Sequence, residues 1–145
     1  MSPSKDPEPI AIDITSKMGE IDEDECIKLI GSTPIGRVAF MVDDEILALP
    51  VNYRWHEGGV VFRTLDGLKL AAAANHQKVC FEVDDWDAKK RSGWSVVIQG
   101  VAREVENWAE EAQLDEIGLI PWAKAEWRPI WVRIEPTSIS GRVLR

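Results

Sequence analysis

"IGRVAFMVDDEILALPVNYRWHEGGVVFRT", residues 35 to 64, is three apolar runs parted by Asp43-Asp44 and by His56-Glu57-Gly58-Gly59. Runs rich in Val, Ile, Phe and Tyr, bounded by Asp and Gly, read as consecutive strands of an antiparallel meander. Downstream, "LKLAAAANH" has high helix propensity and follows Asp66, a plausible cap. Sheet resumes with "KVCFEVDDW", breaks at the polar "DAKKRSG", and returns as "WSVVIQGVAREV", where Gly100 predicts a bend or bulge. A helix is expected from about Asn107 to Ile117, and "PIWVRIEP" and "SISGRVLR" read as two further extended pieces.

Upstream, "IDEDECIKLIGS" predicts a short helix. Asp22 caps it, Glu25 stands at the capping-box position, and Cys26, Ile27, Leu29 and Ile30 form its apolar face. Three prolines and several charges in the first nine residues make residues 1–20 a flexible N-terminal arm, with one domain over 21–145. Strands without a βαβ rhythm exclude a dinucleotide fold of the doubly wound kind. The expected class is mainly β, a closed or partly closed antiparallel barrel, because closure removes the sheet edges.

The composition supports a packed core, at 45% hydrophobic residues in 145. A net charge of −8 and the lack of basic runs argue against nucleic acid or an anionic membrane as partner. The chain shows neither a signal-peptide pattern nor a spanning apolar stretch, so a cytoplasmic location is expected. Cys26 and Cys80 lie in apolar contexts and are read as two buried thiols. His56 and His76 lack an orienting group and receive no catalytic role, and two His with two distant Cys give no metal-site spacing.

"FRTLDGLKL", residues 62 to 70, gathers Arg63, Thr64, Gly67 and Lys69 between a strand and a helix start. A guanidinium fork, a hydroxyl, a point charge and free helix amides can converge on one phosphoryl group. Surface ion pairing with Asp66 or a nearby Glu is the competing reading.

The ordered set "GRVAF", "LPVNY", "VFRTLDGLKL", "VCFEVDD" and "SGWSVVIQGVA" resembles the FMN-binding split-barrel proteins of the pyridoxamine 5'-phosphate oxidase-like family, in its small bacterial members. The resemblance spans residues 21 to 144 and implies a six-stranded antiparallel split β-barrel with short inserted helices. It implies a homodimer with FMN in clefts between subunits. By position, Arg63, Thr64 and Lys69 would hold the phosphate, and Pro50, Val51, Asn52 and Tyr53 would lie beside the isoalloxazine ring. Trp94, Ser95 and Gln99 would come near the cofactor at the subunit boundary. Strand alternation is read as aiming Asn52, Tyr53 and Ser95 at the ring rather than the core.

The implied activity is that of an FMN-dependent oxidoreductase acting on a small-molecule substrate. Alternatives are a non-catalytic flavin-binding or redox-sensing dimer, or a split barrel holding F420 or haem. Pyridoxamine phosphate oxidases finish with an Arg-rich substrate-gripping segment, where this chain has only Arg142 and Arg145, which implies a different substrate. Nitroimidazole-reductase-like relatives often carry His-Ser where Arg63 and Thr64 stand here. Of the tryptophans, Trp131 is assigned to the core and Trp122 to the cleft or the partner.

Overall fold

The computed structural model describes residues 18–64, 74–119 and 130–145. Seven strands and two helices follow one another as β1 (Met18–Ile21), α1 (Glu23–Ile30), β2 (Ile35–Val42), β3 (Glu45–His56), β4 (Gly59–Thr64), β5 (Lys78–Asp87), β6 (Ser92–Glu104), α2 (Trp108–Asp115) and β7 (Ile130–Leu144). All pairings are antiparallel. The expected helix at "LKLAAAANH" lies, but for its last residues, outside the described residues, as do residues 1–17 of the expected arm.

The meander closes through local backbone chemistry. Asp43 and Asp44 (φ 49° and 66°) link β2 to β3, and Glu57 and Gly58 (φ 48° and 79°) link β3 to β4. Two central residues with positive φ are the signature of the primed turn, whose twist matches that of the strands it joins. Between β5 and β6 the Asp87 carboxylate accepts from the amides of Lys89 and Lys90 at 3.0 Å, holding a longer loop.

The strands run β1-β7-β4-β3-β2-β5-β6, and β6 pairs again with β7. Six strands, β2 to β7, therefore close a ring, as the split-barrel expectation requires. β7 divides one of its edges: Ile130–Ile134 pair with β4, whereas Gly141–Leu144 pair with β1. Three residues of the expected arm, 18 to 20, thus belong to the sheet. α1 follows at once and sets Cys26 and Ile30, both fully buried, into the barrel core. A Cβ on Gly141 would come within 2.6 Å of Cys26 Sγ, so β7 accepts the helix only with glycine there. Asp22 caps α1 as expected, accepting from Glu25 N at 2.8 Å.

The two extended pieces expected at the end of the chain are one strand, joined through a bulge. Gln99 pairs with Ser138 but Gly100 with Pro136, leaving Thr137 as the extra residue, and its hydroxyl donates to Gln99 O at 3.1 Å. A Cβ on Gly100 would lie 2.5 Å from Glu135 O, the close approach the bend imposes.

The barrel interior holds Val38, Phe40, Val60, Phe62, Phe81, Val83, Val96, Ile98, Val132 and Ile134. A second cluster, Val61, Val105, Leu114 and Trp131, lies where α2 covers the outer face of β4 and β7, and the buried Trp131 agrees with its core assignment. α2 is held by its Asn107 cap and by a forked pair in which Arg103 donates to Glu110 at 3.0 and 2.7 Å. Cys26 is buried as expected, whereas Cys80 is only half-buried, facing out beside Gln99.

Candidate functional site

Strand register sorts the expected cofactor residues onto two faces. Arg37 pairs with Pro50 and with Glu82, Ile35 with Asn52, Cys80 with Gln99, and Asp84 with Ser95. Directly paired residues share a face, and alternate residues along a strand share it too. Pro50, Asn52, Ser95 and Gln99 therefore stand on one outer face, reached across β2 and β5. Val51 and Trp94 take the opposite side, where both pack against the core.

Tyr53 corrects the sequence reading, since adjacent strand residues cannot both face the same way. Its ring is 4% exposed and meets Phe81 edge-on at 4.8 Å between centroids. Its hydroxyl donates to Ile30 O and lies 3.2 Å from Thr33 Oγ1. Burial pushes the phenol above its ordinary range. Tyr53 fastens α1 to the barrel and does not turn a polar group outward.

Arg63 and Thr64 likewise leave β4 on opposite faces. Thr64, 5% exposed, points inward with Phe62, and its Oγ1 is buried without a hydrogen-bond partner among the described residues. Arg63 points outward. Its guanidinium carbon lies 5.0 Å from the centre of the Trp131 ring, Nη2 stands 3.7 Å from Asp115 Oδ1, and its Nε is buried without a hydrogen-bond partner among the described residues. Tyr53 pairs with Phe62 and Arg54 with Val61, so by alternation Asn52 and Arg63, the next residue on each strand, both lie on the outer face where that ladder ends. Lys69 lies outside the described residues.

A cleft of about 500 Å³ opens beside this corner, lined by Thr33, Pro34, Asn52, Arg54, Trp55 and Leu119 among others, and Tyr53, though almost wholly buried, also forms part of its wall. Its walls are the turn after α1, the end of β3 and the chain leaving α2. Arg54 Nη1 ties two of these walls together, donating to Ile117 O at 3.3 Å.

Sequence reasoning missed a charged cluster on the same outer face. Arg37 Nη2 donates to Asp84 at 2.9 Å, and its Nε lies 3.4 Å from Glu82. Burial, followed by the hydrogen bond to Asp84 and the repulsion from it, pushes the Glu82 carboxyl up to about 7, while Arg37 pulls the other way. The available signal was an arginine in "GRVAF" and carboxylates two apart in "FEVDD", which share a face on any strand. The reading also missed Asp115, which joins the corner only through the packing of α2.

Among the described residues no group of three or more His, Cys, Asp and Glu is placed to hold a metal ion, and no helix is long and apolar enough to cross a membrane.

Comparison with known proteins agrees with this architecture. Rv0080 of Mycobacterium tuberculosis, itself uncharacterised, is 34% identical over 127 residues, which are 84% of this chain and 82% of that protein. The structure of an FAD-binding protein from Mycobacterium smegmatis superposes with a TM-score of 0.74 at 37% identity, covering 87% of this chain and 97% of that one. DIP1874 of Corynebacterium diphtheriae, a protein of unknown function, gives a TM-score of 0.76 at 30% identity over 90% of this chain and all of its own, 100%. A family model described as pyridoxamine 5'-phosphate oxidase matches residues 22–143. From the cap of α1 to the end of β7, the chain belongs to the pyridoxamine 5'-phosphate oxidase family.

Proposed function

We propose that the protein is a flavin-dependent oxidoreductase that binds FMN, or the FMN half of FAD, at the outer corner beside Asn52 and Arg63, where the β3–β4 ladder ends. The observation that carries this reading is Arg63 Nε, buried on that face without a hydrogen-bond partner among the described residues. A buried donor left without a partner costs about 1–3 kcal/mol, and a phosphoryl oxygen would relieve that cost. Arg63 would reach a phosphoryl group from the outer face; Thr64, on the opposite face of β4, and Lys69, outside the described residues, are the other two positions that the resemblance assigns to it. Asn52 and the β3 backbone border the cleft that would take the ring, with Pro50, Ser95 and Gln99 farther across the same face.

A bound flavin would supply the hydride and electron chemistry. The chain's own residues bind and orient it, shape the cleft for a small planar substrate, and supply charge through Arg37, Glu82 and Asp84. The FAD-binding relative at 37% identity favours the dinucleotide over free FMN as the resident form.

We also assign a second copy of the chain as partner. The β2–β3 hairpin projects Met41 and Ile46 into solvent at 55% and 74% exposure, a cross-strand apolar pair on the face that carries Pro50.

Mild purification, a visible spectrum and the mass of any released cofactor test the assignment. A flavin spectrum is expected, and the mass separates FMN from FAD. Changing Arg63 and Lys69 together to Ala is expected to abolish FMN binding by a folded protein, since charge-assisted bonds contribute about 1.5–3 kcal/mol each. Unchanged affinity would return Arg63 to ordinary ion pairing. Slow reoxidation of the reduced protein by every quinone or nitro acceptor tried would replace the enzyme with a flavin-binding or redox-sensing module.

A further inference from the structure

Asp115 is an unfavourable residue for its place in the chain. It ends α2, where the helix dipole is negative, and the last turn of α2 carries no basic residue to offset it. Its contacts are tertiary. Oδ1 accepts the Trp131 indole N–H at 2.8 Å and lies 3.7 Å from Arg63 Nη2. The guanidinium in turn sits over the indole it helps to fix, 5.0 Å from the ring centre.

These three contacts differ in kind. The indole bond is short and directional, so Asp115 orients Trp131. The approach to Arg63 is too long for a hydrogen bond, so it acts by charge alone. Arg63 is therefore held on a rigid aromatic platform with its Nε still unspent. A carboxylate this close also opposes any second anion brought to the same guanidinium.

We propose that Asp115 is a positioning residue that sets the phosphate affinity of the Arg63 corner: it fixes the Trp131 platform by its hydrogen bond and lowers the affinity for phosphate by its charge. This inference rests on the flavin phosphate lying at Arg63, as proposed above. Its consequence is a cofactor held less tightly than the available cations would allow, with the affinity sensitive to salt.

The two actions separate in variants of the full chain freed of flavin. Asp115→Asn keeps an oxygen to accept the indole bond and removes the charge; Asp115→Ala removes both; Asp115→Glu keeps the charge. Titration with FMN and with riboflavin isolates the phosphate, because riboflavin lacks it. Asp115→Asn is expected to tighten FMN about two- to fivefold at low salt, the range of a partly exposed ion pair, and to leave riboflavin unchanged. The gain should shrink as salt screens the charge. Asp115→Glu should stay near the parent protein. Asp115→Ala should bind FMN less tightly than Asp115→Asn and alter the near-ultraviolet circular dichroism of tryptophan. An Asp115→Asn variant that binds FMN no tighter than the parent, while Arg63→Ala weakens FMN, would overturn the role of Asp115 and leave the phosphate assignment standing. If Arg63→Ala leaves the ratio of FMN to riboflavin affinity unchanged, the phosphate assignment itself falls, and this inference with it.

Discussion

Tyr53 donates its hydroxyl hydrogen to the carbonyl of Ile30, the last residue of α1, and Thr33 Oγ1 stands 3.2 Å from the same phenolic oxygen. With its one hydrogen committed, Tyr53 can only accept from Thr33. The helix whose Cys26 and Ile30 enter the barrel core is thereby tied to the strand bordering the candidate cleft.

Tyr53→Phe is expected to destabilise the fold by about 1–3 kcal/mol, because it strands the Ile30 carbonyl while keeping the ring packed on Phe81. Flavin affinity should change less than twofold, since the hydroxyl is already engaged by Ile30 and Thr33. Urea unfolding and a flavin titration check the two halves separately. A large loss of affinity at unchanged stability would move Tyr53 back into the cofactor site.

Glu82 makes stability depend on pH in a stated direction. Its carboxyl is raised from 4.5 to about 7, chiefly by burial and then by Asp84. Between those values the folded protein holds a proton that the unfolded chain has released, so this group's stabilisation is lost as pH rises through about 7. Glu82→Gln imitates the protonated form and leaves Arg37 its bond to Asp84. Its stability relative to the parent is expected to improve from about pH 5 to about pH 8, read from urea midpoints. Identical pH dependence in the two proteins would exclude Glu82 as the titrating group.

The β2–β3 hairpin carries the dimer proposal. Replacing Met41 and Ile46 together with Asp is expected to give a soluble monomer in sedimentation at low micromolar concentration, because two desolvated carboxylates would oppose an apolar contact. An unchanged dimer would place the interface elsewhere on the barrel. A parent protein that is monomeric and still binds flavin would remove the shared cleft.

What the sequence determined by itself was local. Asp43-Asp44 and Gly58 mark turns because Asp and Gly tolerate positive φ. Asp22 and Asn107 start helices because their side chains reach amides two or three residues on. Gly100 marks the bulge because no side chain fits against Glu135 O. These are short-range interactions, and the meander and both described helices follow from them.

The tertiary structure decided what depends on residues far apart in the chain. "PIWVRIEP" and "SISGRVLR" became one strand because Thr137 could be accommodated opposite Gln99. The pairing of Met18–Ile21 with the end of β7 drew part of an expected arm into the sheet, since that edge of β7 is free of β4 there. Arg63 and Thr64, quoted together as one anion-binding bend, separate because the pleat sends neighbours to opposite faces. The partners of Arg63 come from α2 and β7, and those of Arg37 from β5. Closure of the barrel brings those elements together, and no short-range propensity encodes which charge it will set beside which.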